Sequence, residues 1–196
     1  MYHIGRSICR TFFRLFFRWE IEGAGNIPVE GPVVICCNHI NNLDPPLLGS
    51  SVSRKVHFMA KKELFSIPLL GRLLPSLGAY PISRGSGDRG ALKKSLELLK
   101  EGRVLGIFPE GTRSKTGQLG KGHTGAAFIT LRSDAVIVPG AITGPYRIFR
   151  RVKIVFGEPI DLTPYREKGI NTESVEAAME HTMNEIATLL SKSHSK

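Results

Sequence analysis

The sequence predicts an α/β fold: a mostly parallel or mixed β-sheet flanked by helices, led by an N-terminal amphipathic helix. Three observations carry that expectation. Short apolar, β-branched runs such as "GPVVICC" recur along the chain, as strands buried on both faces do. Stretches of helical periodicity lie between several of them, and strands alternating with helices build a largely parallel sheet. No internal repeat, low-complexity tract or linker breaks the 196 residues, a length that suits one domain with a real core.

Residues 1–18 read as a helix of two faces. Arg6, Arg10, Arg14 and Arg18 recur at every fourth position and form one cationic stripe, while Ile4, Ile8, Phe12, Leu15, Phe16 and Trp19 gather on the other side. A dense aromatic face opposite a cationic one describes a helix lying in a membrane interface. The competing reading is a helix packed on the protein's own core with its arginines in water. A membrane span needs about 20 apolar residues with few charges, which four arginines exclude, and no small-residue cleavage site follows. Residues 19–196 are expected to form a single domain.

Within that domain, strands are expected at 19–22, 32–37, 55–59, 79–82, 103–108, 135–139 and 152–156. Helices are expected near 45–51, 88–101 and 122–132, with a closing amphipathic helix near 173–191. Residues 64–82 are the least polar part, but Pro68, Pro75, Pro81 and Arg72 exclude a continuous transmembrane helix. Short broken helices lining a groove for an apolar ligand and simple core packing both fit this segment.

Lys and Arg outnumber Asp and Glu 27 to 17, and a net charge of +10 favours an anionic partner. Zinc spacing and aromatic RNA-binding signatures are missing, so nucleic acid is not the expected partner. Cys9, Cys36 and Cys37 make no disulfide framework and suit a reducing cytoplasm. No metal site is expected, since His39, His57 and His123 are not at ligand spacing.

Directly after the strand "GPVVICC" comes "NHINNLD", with a histidine and an aspartate five positions apart. A helix would separate the two side chains by about 140°. Asn41 and Asn42 favour a turn, and Asp44 precedes Pro45, so a loop folds back and can bring the Asp44 carboxylate to the His39 imidazole. Asp44 followed by proline is also a good helix cap, which leaves a purely structural reading open.

The second chemistry-bearing loop, Glu110-Gly111-Thr112-Arg113, follows the apolar strand "RVLGIF". Two polar loops beyond the carboxyl ends of strands in one sheet would converge on one site. Arg113 offers a planar fork for phosphate or carboxylate, Gly111 allows close backbone approach, and Arg84 and Lys121 lie at further loop edges. Two decoys are set aside. "GSGDRG" matches a dinucleotide fingerprint, but its strand contains Pro81 and ends in Ser83-Arg84. Cys37 ends a buried strand, whereas a nucleophilic thiol needs exposure.

Together these pieces resemble the glycerolipid acyltransferases of the PlsC type, the 1-acylglycerol-3-phosphate acyltransferases. Four blocks carry the resemblance: residues 38–44 as N-H-x-x-x-x-D, "GAYPISR" at 78–84, "FPEGTRS" at 108–114 and "VIVPGA" at 136–141. It covers about residues 19–160. Asn41 stands where the family often has serine, and the single basic helix stands where many members have a transmembrane or paired-helix anchor. The resemblance implies that His39 is a general base on the 2-hydroxyl of lysophosphatidic acid and that Asp44 orients it. Arg84, Arg113 and Lys121 would hold the phosphate, with Glu110, Gly111 and Thr112 shaping the substrate pocket. It also implies a thioester of acyl carrier protein or coenzyme A as co-substrate, no cofactor, and residence on the cytoplasmic side of the cell membrane as a peripheral or monotopic protein. Alternatives are another lysolipid or an amino-acid lipid as acceptor, or a non-enzymatic membrane-surface protein.

Overall fold

The computed structural model describes residues 1–83 and 87–194. Among these described residues seven strands, β1 (Arg18–Glu22), β2 (Val33–Cys37), β3 (Val56–Lys61), β4 (Ala79–Ile82), β5 (Val104–Ile107), β6 (Val136–Thr143) and β7 (Arg151–Phe156), form one sheet in the order β1-β7-β6-β2-β5-β3-β4. Pairing is parallel throughout except between β6 and β7. Residues 144–150 join those two without a crossover helix, and a connection that short permits an antiparallel return. The helices are α1 (Tyr2–Phe16), α2 (Asp44–Ser51), α3 (Leu70–Ser76), α4 (Arg89–Lys100), α5 (Gly125–Leu131), α6 (Thr163–Glu167) and α7 (Thr172–His194).

Every expected strand is present, and the continuous apolar run of β2 is explained by its place. It lies between β6 and β5, and all five of its residues are buried. Val34 and Cys36 face one core with Leu105, Ile137 and residues of α4, α5 and α7, including Leu98, Ala127 and Met179. Val33, Ile35 and Cys37 face a second core with Leu47 and Leu48 of α2, Phe13 of α1, and Ile154. No helix among the described residues is long and apolar enough to cross a membrane.

Helix α1 is docked by the side that carries Arg6, Arg10 and Phe13, and its apolar stripe faces outward. Phe13 is fully buried and Phe17 nearly so. The guanidinium groups of Arg6 and Arg10, expected in water or on headgroups, donate instead to the backbone carbonyls of Ser53 and Ser50 around the end of α2. Ile4, Ile8 and Leu15 are each at least 60% exposed, with Phe12 and Phe16 less so. Trp19 leaves the expected helical face altogether, because the chain turns extended at Phe17 and Trp19 stands on β1 against Phe13.

Candidate active site

Strands β2 and β5 are parallel neighbours, with Cys36 opposite Ile107, so the loops that follow them leave the same edge of the sheet. Asn38 fixes the first loop to the neighbouring strand β6: its side chain donates to Ile142 O at 2.9 Å and accepts from Ile142 N–H at 2.7 Å. The loop then reverses over Asn41, whose side chain accepts from Leu43 N–H.

That reversal brings Asp44 back under His39. Asp44 Oδ2 accepts from His39 Nδ1 and from the backbone N–H groups of Ile40 and Asn41, each at 2.7 Å. Oδ1 accepts from the Tyr146 hydroxyl at 2.6 Å, and Asp44 is wholly buried. The capping reading is thereby excluded. A capping carboxylate accepts from amides ahead of it in the helix, whereas this one accepts from the loop behind it, and Leu43 occupies the cap position. With Nδ1 engaged, Nε2 is the nitrogen left to the exterior. The imidazole stacks on Phe108 at a centroid distance of 4.3 Å.

Glu110 locks the two loops together. Its Oε1 accepts from His39 N–H at 2.7 Å and its Oε2 from Gly120 N–H at 2.9 Å, and it is buried. Ser114 N–H adds a bond to His39 O at 2.8 Å. Glu110, expected at the substrate, therefore spends its carboxylate on backbone amides and acts as a clamp. Gly111 holds a left-handed φ of 67°, which turns the loop toward His123.

These groups stand at the mouth of a groove of about 1050 Å³. His39, Asn42, Glu110, Gly111, Thr112 and His123 form its polar end, while Leu64, Leu74 and Leu77, with Phe58 and Ile82, make most of the rest apolar. The leucine-rich segment thus lines a groove. Gly106 permits this geometry, because a Cβ there would come within 2.4 Å of the Phe58 ring. Tyr2, Gly5, Arg6 and Cys9 of α1 also contribute, so the first helix is part of the groove wall.

The remaining sequence expectations divide. Arg113 and Lys121 are exposed on the same loop region but are not among the groove residues, and Arg84 lies outside the described residues. Cys37 is fully buried, and burial with the neighbouring Cys36 and Asp44 pushes its thiol well above the usual range, so no thiolate nucleophile stands there. The dinucleotide match also fails where it can be seen. Asp88 fills the start of α4 with its own carboxylate, accepting from Ala91 and Ser83 N–H, and β4 is an edge strand. Gly85 and Ser86 of that match lie outside the described residues. No cluster of metal-ligating side chains occurs among the described residues.

Tyr146 was missed by sequence reading. It lies 102 positions from Asp44, in "GPYR", where nothing in the local pattern marks it.

A family model described as Acyltransferase matches residues 18–143. The 1-acyl-sn-glycerol-3-phosphate acyltransferase of Bacillus subtilis is 32% identical over 166 residues, covering 82% of each chain. The chloroplastic enzyme of the same name from Arabidopsis thaliana is 35% identical over 68% of this chain, which spans 38% of that protein. The crystal structure of PlsC, the 1-acyl-sn-glycerophosphate acyltransferase of Thermotoga maritima, superposes with a TM-score of 0.75 at 25% identity, covering 95% of this chain and 78% of that one. By sequence and by fold, the chain belongs to the Acyltransferase family.

Proposed function

We propose that this protein transfers a fatty acyl group from a thioester to the 2-hydroxyl of 1-acyl-sn-glycerol-3-phosphate, giving phosphatidic acid. The observation that carries the chemistry is the 2.7 Å contact between His39 Nδ1 and Asp44 Oδ2 at the mouth of an apolar groove. Asp44 holds the Nδ1–H tautomer, and Nε2 takes the proton of the acceptor hydroxyl. The acceptor oxygen attacks the thioester carbonyl, and the tetrahedral adduct collapses with loss of the thiolate. The proton on His39 then passes to the departing sulfur. The step balances with donor and acceptor alone, without a protein nucleophile or a cofactor.

The leucine-lined part of the groove suits an acyl chain, and its polar end suits the glycerol. Arg113, with Lys121 and Arg84, is assigned to the phosphate, since a guanidinium can pair its oxygens. Thr112 and Gly111 shape the pocket at the glycerol, and Glu110 holds its walls together. The donor is the thioester of acyl carrier protein or coenzyme A, and the net charge of +10 suits an acidic carrier and anionic lipid. Residues 1–18 are assigned to the membrane interface through the exposed Ile4, Ile8, Phe12, Leu15 and Phe16, with residues 19–196 as the catalytic domain. With a carrier-protein or coenzyme A thioester as donor, the protein is assigned to the cytoplasmic face of the cell membrane.

The test is purified protein in detergent with 1-acyl-sn-glycerol-3-phosphate and a radiolabelled thioester of each carrier. Phosphatidic acid is the expected product. Its absence with both donors would refute the assignment, and a product only with another lysolipid would change the acceptor and keep the mechanism.

A further inference from the structure

The loop between β6 and β7, residues 144–150, has features that acyl transfer does not require. Ile148 and Phe149 are 60% and 68% exposed, and the exposed Arg147 and Arg150 flank them. Phe149 holds a left-handed φ of 63°, which is unfavourable for a residue with a Cβ. The conformation is held by the end of α1 and the start of β1: Phe149 N–H donates to Phe16 O at 2.7 Å, and Arg18 N–H donates to Arg150 O at 3.0 Å. The tip is thereby fastened beside Leu15 and Phe16, at the end of the exposed apolar stripe of α1.

A strained backbone that holds two large apolar side chains in water gains nothing there. Against lipid the same side chains regain their burial, and adjoining arginines meet headgroup phosphates. We propose that Ile148 and Phe149 form a second lipid-contacting element, which enters the interface of an anionic bilayer beside α1 with Arg147 and Arg150 on the headgroups. This rests on the interfacial assignment of α1.

The experiment is sedimentation of the full chain with phosphatidylcholine vesicles, with and without phosphatidylglycerol, for the parent, Phe149→Ser, and a control carrying Ile8→Ser and Leu15→Ser. The proposal expects Phe149→Ser to weaken partitioning onto anionic vesicles by about tenfold, the scale of one buried aromatic side chain. It expects no fall in thermal midpoint, and weakened partitioning in the α1 control as well. Parental binding by Phe149→Ser with a weakened α1 control would overturn the loop assignment alone. Parental binding by both variants would overturn the α1 reading and the loop with it. A parent dimer that Phe149→Ser converts to a monomer without changed vesicle binding would assign the tip to a second copy of the chain and overturn the proposal.

A separate observation in the same loop concerns the reaction. The half-buried Tyr146 hydroxyl is the partner of Asp44 Oδ1, and its ring packs edge-on against Phe17 at 6.0 Å. Burial and the Asp44 charge push the phenol far above its ordinary range, which keeps it a donor. We infer that Tyr146 is a positioning residue, which anchors Oδ1 so that Oδ2 faces His39 Nδ1. Tyr146→Phe retains the ring and removes the donor. It should lower kcat about tenfold, as loss of one hydrogen bond to a charged group does, with both KM values within about twofold of the parent. The His39 Nδ1–H proton should exchange faster in nuclear magnetic resonance spectra. A parental kcat, a loss expressed in KM, or an unfolded Tyr146→Phe protein would each overturn the assignment.

Discussion

Replacing Asp44 by asparagine separates the charge of the site from its shape. With the amide oxygen in the place of Oδ2, the variant still accepts from His39 Nδ1–H and from the N–H groups of Ile40 and Asn41. The amide nitrogen then lies in the place of Oδ1, where the Tyr146 hydroxyl can turn and accept. The opposite rotamer sets the amide nitrogen against those donors, at about 1–3 kcal/mol for each bond unmade, so the first rotamer is strongly preferred. The histidine tautomer survives, and the loss is that of the negative charge beside a forming imidazolium. Hydrogen bonds to charged groups exceed neutral ones by about 1–1.5 kcal/mol. With the attraction across a buried contact added, the transition state loses about 2–3 kcal/mol, or roughly 30- to 150-fold in kcat. Asp44→Ala leaves all four donors facing a void and should unfold the loop. The measurements are kcat for phosphatidic acid formation, both KM values and the thermal midpoint. Three results would refute the reasoning: a parental kcat, a loss beyond about 10⁴ of the kind a wrong tautomer gives, or a stability as low as that of Asp44→Ala.

Glu110→Gln should lower stability by about 1–3 kcal/mol, because one amide oxygen cannot serve both His39 N–H and Gly120 N–H; an unchanged thermal midpoint with a raised acceptor KM would return Glu110 to substrate binding. Arg113→Ala should raise the KM for the phosphorylated acceptor more than that for the thioester, and Arg113→Lys should rescue it only in part, since an ammonium keeps charge without the fork. Equal weakening of both substrates would assign Arg113 to the turn instead. Cys37→Ala should keep most activity, and total loss with an intact fold would revive an acyl-enzyme. Phe13→Ala should destabilise the whole domain by about 3–5 kcal/mol in denaturant unfolding, because the ring is fully buried; a stability within about 1 kcal/mol of the parent would show that α1 is not part of the core.

The two loops that meet at the site were legible because each chemical group stands within a few residues of a strand end. Local sequence records the apolar run of β2, the turn at Asn41-Asn42 and the glycine at position 111, and parallel strands place their carboxyl ends at one edge. The Asp44 capping alternative could not be removed by sequence, because the same Asp-Pro pair suits a cap or a loop. Only the backbone path shows that Ile40 and Asn41 supply the donors.

Other assignments depended on distant partners. Glu110 reads from sequence as a pocket carboxylate, and only the fold shows that His39 and Gly120 take both its oxygens while it lines the groove; Tyr146 has no local mark at all. Helix α1 shows the limit most clearly. Its periodicity determined that a cationic stripe opposes an apolar one, since both follow from 3.6 residues per turn. Which stripe faces the protein was decided by tertiary structure: the carbonyls of Ser50 and Ser53 at the end of α2 draw in Arg6 and Arg10, Phe13 fills the core between them and β1, and the apolar stripe is left outward.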